Sequence, residues 1–151
     1  MIEKLRIFAI STILASANFA GGAEFLNGNF DDGLQNWNVS PNATIDTKIY
    51  KTKELTGEGD TNKSLKIICA KKEGWEKASQ NIDVEAGATY SVEAWLKLLD
   101  ARQTHLKIEW FDKNGKFIKT SFICAGTDGT KDWFKVNGTV QAPDNAVKAS
   151  L

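Results

Sequence analysis

Histidine, proline, methionine and cysteine are all scarce in this chain, and net charge is absent. Among 151 residues there is one His, one Met, two Pro and two Cys, and 19 basic side chains balance 19 acidic ones. Zero net charge removes the broad positive field that draws proteins to nucleic acid or anionic membranes, so neither is an expected partner. One His and two Cys cannot supply the four ligands of a closed zinc site. The lone His105, with no Gly-x-Ser-x-Gly elbow anywhere, leaves no serine or cysteine triad. Nineteen acids always offer carboxylate pairs, so pairing alone says nothing about glycoside hydrolysis. Binding is therefore expected rather than catalysis, and no catalytic residue is assigned.

Also missing is any apolar run long enough to cross a bilayer. The stretch 7–14 is mostly apolar, follows Glu3, Lys4 and Arg6, and precedes the small residues Ala15-Ser16-Ala17 and Gly21-Gly22-Ala23. That is the layout of an export leader, with cleavage after Ala17 or after Ala23. Residues 1–23 are thus expected to be removed, leaving one domain over 24–151 that is secreted to an extracellular, periplasmic or cell-surface location. Export permits a disulfide between Cys69 and Cys124, and the sequence leaves a bridge and two buried free thiols both open.

What the chain does have is period-two alternation and five Trp. Short runs of β-branched and aromatic residues, cut by Gly, Asn and Asp, predict strands at 24–30, 37–40, 44–50, 64–70, 75–84, 89–98, 105–111, 117–123 and 133–141, with another starting at 147. Helix signals are nearly absent, so the expected class is all-β, an antiparallel sandwich or barrel. Asp112-Lys113-Asn114-Gly115 predicts a tight hairpin, and Glu85-Ala86-Gly87 and Ala142-Pro143-Asp144-Asn145 predict further corners.

Alternation also assigns faces. Tyr90, Val92, Ala94 and Leu96 share the buried side of one strand, while Ser91, Glu93, Trp95 and Lys97 share the other. Trp75 falls with Lys77, Ser79, Asn81 and Asp83, and Glu109 with His105 and Lys107. Trp37, Trp110 and Trp133 begin strands or lie on the apolar side and are expected in the core. Trp75 and Trp95 fall on polar faces. An indole among hydrogen-bonding groups suits a sugar ring, which has CH groups on its faces and hydroxyls around its edge. Trp75, Trp95, Glu93, Asn81 and Glu109 are the candidate carbohydrate-binding residues, and His105 reads as one more exposed polar side chain.

The opening Asn27-Gly28-Asn29-Phe30-Asp31-Asp32-Gly33-Leu34-Gln35-Asn36-Trp37 resembles the start of carbohydrate-binding modules of families four, nine and twenty-two. The likeness continues through Lys71-Lys72-Glu73-Gly74-Trp75, Gln80-Asn81-Ile82-Asp83-Val84, the Gly87-Ala88-Thr89-Tyr90 strand running to Lys97, the Asp112 to Gly115 hairpin and the Trp133 strand that ends at Pro143. It covers residue 24 to the end. The resemblance implies a galactose-binding-like jelly roll, a noncatalytic module that holds a polysaccharide or oligosaccharide for a linked enzyme or cell surface. It also implies a structural calcium, with Asp31 as a ligand and Asp60 in reach to assist, although turn chemistry alone accounts for Asp31 and Asp32. The pattern stops at Leu151 before the acidic residue and closing strand of such modules, so the domain is expected to lack its last strand. The competing expectation is a structural or adhesive β-sandwich of an exported cell-surface protein, with Trp75 and Trp95 packed on a neighbouring domain.

Overall fold

The computed structural model describes residues 7–13, 26–28, 30–46, 63–69 and 75–151. Among them the alternation becomes nine strands and no helix: β1 (Ile7–Ile13), β2 (Asn38–Val39), β3 (Ala43–Asp46), β4 (Ser64–Ile68), β5 (Ala78–Ser79), β6 (Asn81–Asp83), β7 (Thr89–Phe111), β8 (Phe117–Gln141) and β9 (Lys148–Ser150). Every pairing is antiparallel. The large sheet runs β3-β4-β1-β7-β9-β6 with β8 also on β7, and β2 pairs with β5 separately.

Two strands are much longer than expected. The sequence predicts breaks after 98 and after 123, yet β7 runs for 23 residues and β8 for 25. They pair from Thr89↔Gln141 to Phe111↔Phe117. In place of loops there are register shifts, with positive φ at Asp100, Gln103, Gly126 and Gly129. Left-handed residues at bulges bend strands without ending their pairing.

The hairpin folds over itself at this corner. The rings of Tyr90 and Trp110 lie 5.9 Å apart, centroid to centroid. A straight strand would hold them about 65 Å apart. The result is an antiparallel β-sandwich. Its first layer holds β3, β4, β1, residues 89–99 of β7 and 131–141 of β8; its second holds β6, β9, residues 104–111 of β7 and 117–127 of β8.

The core between the layers takes the even-numbered side of β7, with Tyr90, Val92, Ala94 and Leu96 from one layer and Leu106, Ile108 and Trp110 from the other. The expected buried face is observed. Trp37 and Trp110 are core rings, whereas Trp133 is half-buried. Trp110 keeps its one polar atom satisfied by donating from Nε1 to Ser121 Oγ at 2.9 Å.

Residues 27, 28 and 30–37 form a stapled turn; of the strand predicted at 24–30, residues 26–28 and 30 are not in a strand, and 24, 25 and 29 lie outside the described residues. The Asn27 amide donates to the carbonyls of Gly33 and Gln35, and its Oδ1 accepts the Asp32 N–H. Phe30 is fully buried 5.1 Å from the Trp37 ring. Trp37 Nε1 in turn donates to the Asn27 carbonyl. Buried Gln80 bonds both backbone groups of Leu26, imitating a strand with its side chain.

Two further expectations meet the structure here. The apolar stretch read as a leader core contains β1, paired with β4 on one side and β7 on the other. Cys69, buried, and Cys124, half-buried, are not joined in a disulfide. The loop around 55–63, apart from Lys63, lies outside the described residues, and Asp60 with it.

Candidate saccharide-binding face

The outer side of the second layer gathers aromatic rings around polar side chains. From β7 it takes His105, Lys107, Glu109 and Phe111. Pairing carries this face sideways, because residues directly opposite in an antiparallel ladder point the same way. Asn81 of β6 stands opposite Ser150 of β9, Ser150 opposite Glu109, and Glu109 opposite Thr120 of β8. The next row places Phe122 opposite Lys107, and the row on the other side places Phe117 opposite Phe111.

Trp75 reaches this face from the segment just before β5. Ser40 holds that segment: its N–H donates to the Lys77 carbonyl, and its Oγ accepts the Lys77 N–H, both at 2.8 Å. Asn42 adds a bond from its amide to the Glu76 carboxylate at 3.4 Å. So anchored, Trp75 stays 67% exposed while its ring lies 5.2 Å from that of His105. His105 is in turn 5.4 Å from Phe122, which is 53% exposed. Three rings thus touch in series at the surface.

His105 is oriented within the series. Its Nδ1 accepts the Gly126 N–H at 3.1 Å, which places the imidazole proton on Nε2 as a donor. Beside the rings, Lys107 Nζ meets Glu109 Oε1 at 2.5 Å, both side chains partly exposed. The face therefore offers apolar ring surface, one oriented imidazole and a compact charge pair with Asn81, Ser150 and Thr120 alongside.

The sequence-derived candidates divide between two sides of the molecule. Trp75, Asn81 and Glu109 lie on this face. Trp95 and Glu93 lie on the outer side of the first layer, across the core. There Glu93 pairs with Lys135 at 2.8 Å, and Lys97 with Asp132 at 2.7 Å. Trp95, half-buried, sits opposite Lys135 between these pairs. His105 and Phe122 belong to the ring series although sequence reasoning did not select them. Phe122 carried a usable signal, since a Phe on the solvent side of a strand is an exposed large apolar residue.

Of the two residues named for calcium, Asp31 lies among the described residues and Asp60 does not. No three His, Cys, Asp or Glu side chains gather among the described residues. Lys63 Nζ donates to the Asp31 backbone carbonyl at 2.7 Å.

A family model described as a carbohydrate binding domain matches residues 22–151. A search of curated proteins finds no match.

Proposed function

The chain belongs to the carbohydrate binding domain family, and from that premise we propose that it holds a polysaccharide on the outer face of its second layer. Trp75, His105 and Phe122 stack against sugar rings, and Asn81, Glu109 and the His105 Nε2–H bond hydroxyls. The module is noncatalytic and raises the local concentration of glycan for a linked enzyme or surface. The observation that carries this reading is the series of three touching rings, two of them more than half exposed, beside hydrogen-bonding side chains. Large rings left open to water cost solubility unless a ligand covers them.

Each aromatic stacking contact contributes about 0.5–1.5 kcal/mol, so losing one ring weakens binding up to about tenfold. Affinity electrophoresis in gels cast with xylan, β-glucan, mannan or alginate tests this. Native protein is expected to be retarded by at least one polymer. Trp75→Ala and Phe122→Ala lose most of the retardation at unchanged Tm, because both side chains are exposed. Trp95→Ala leaves retardation intact. Equal loss from Trp95→Ala, or no retardation of the native protein by any glycan tried, would count against this face as the site.

A further inference from the structure

The aromatic surface of the second layer does not end at Phe122. Farther along β7 and β8, next to the turn that joins them, Phe111 stands opposite Phe117 with ring centroids 6.1 Å apart. Phe117 is 52% exposed and Phe111 half-buried, whereas their neighbours Trp110 and Ile118 belong to the core packing. The pair is held in place from both sides. The Asp112 carboxylate secures the turn, and the Phe111 carbonyl accepts the Val147 N–H at 3.0 Å. Its flank is polar, because Lys148, opposite Phe111, lies 3.8 Å from the Asp83 carboxylate.

Two groups of rings therefore share one face. His105 belongs to one group and Phe111 to the other on the same strand, and Lys107, which Phe122 faces, lies between them. At about 3.4 Å per residue, the groups stand roughly 14–20 Å apart along β7. Between them crosses the row Asn81, Ser150, Glu109 and Thr120. A single sugar ring covers one group, and an extended chain that reaches both is about four or five units long.

On the reading that the Trp75 face holds saccharide, we propose that Phe111 and Phe117 are a second stacking platform for the same chain, which lies along β7 and bridges the two groups. Its outer units stack on rings, and the hydroxyls of its middle units bond to the polar row. Shorter sugars fill one platform and forfeit the other. The pair also steadies the hairpin, since facing aromatic side chains attract across an antiparallel ladder, so binding and stability are read separately.

Titration calorimetry with xylo-, cello- and manno-oligosaccharides, from disaccharide to hexasaccharide, tests this on the full chain. Native protein is expected to bind at least one hexasaccharide about tenfold or more tighter than the matching disaccharide. Phe117→Leu keeps the apolar contact but removes the flat ring. It should weaken the hexasaccharide about three- to tenfold at near-native Tm and change disaccharide affinity less than about twofold. Trp75→Ala should weaken both lengths. A Phe117→Leu protein that binds the hexasaccharide like native, or a native protein that holds both lengths equally, overturns the second platform and leaves the Trp75 face standing. Indifference of every length to Trp75→Ala, or no binding of any of these sugars, overturns both.

Discussion

Asp112 holds the turn between β7 and β8 through its carboxylate, which accepts the N–H groups of Asn114 at 2.8 Å and Lys116 at 2.9 Å. Those bonds, Lys116 foremost, keep its carboxyl below the usual range. A carboxyl depressed in the folded state stabilises fully above its unfolded pKa, about 3.9, and loses that contribution as pH falls through the folded value. Asp112→Ala is therefore expected to lower Tm at pH 7 by no more than a few degrees, since the site is open to solvent. The difference from native protein should narrow as pH falls below about 3.9; melts across a pH series check both. This turn was legible because Asp-Lys-Asn-Gly carries its own geometry, with Gly115 at φ 76°. Trp75 was legible for a related reason, since alternation placed it on a polar side. His105 and Phe122 were not selected: their rings meet because Phe122 stands opposite Lys107, two residues along the same face of β7 from His105, and this cross-strand pairing is not written in either strand alone.

At the level of elements, Gly138 sets how closely the folded hairpin can shut. It stands opposite Val92 in the first layer, while Ile123, on the same strand, belongs to the second. A Cβ at 138 would lie 3.2 Å from Ile123 Cγ2 and 3.5 Å from its Cδ1. The Ile123 side chain can yield slightly to one methyl group but not to a branched one. Gly138→Val should thus cost about 1–3 kcal/mol by overpacking. Denaturant unfolding should show a lower midpoint at unchanged m, with Gly138→Ala falling between Val and native. The strands themselves were readable from alternation and turn residues. Their joining into two bent strands was not, because Asp100 and Gln103 take left-handed conformations that their residue types do not demand. The described part of the stretch 24–30, residues 26–28 and 30, failed differently. Its residues look strand-like, but the Asn27 side chain captures the backbone groups of the following turn.

For the whole molecule, the doubled-over hairpin decides which surfaces are neighbours. Family and sandwich class followed from the order of motifs along the chain, whereas the separation of Trp95 from Trp75 depends on the corner at 98–104 and was hidden. The same layering leaves little surplus charge on the ring-bearing face: Lys107 pairs with Glu109 and Lys148 with Asp83, within a chain whose total charge is zero. A saccharide held there by ring stacking and hydroxyl bonds, with no net field to attract it, fits an uncharged glycan. Raising ionic strength from 0.01 to 1 M shortens the Debye length from about 30 to about 3 Å, which weakens attraction between separated charges and leaves stacking in place. Affinity for a neutral polysaccharide should accordingly change less than about twofold over that range in titration calorimetry, and retardation by alginate, if any, should vanish at the high end. A steep fall for every glycan would instead mean that Lys107 or Lys148 leaves its carboxylate to hold an anionic sugar, and the ring series would then be secondary to charge.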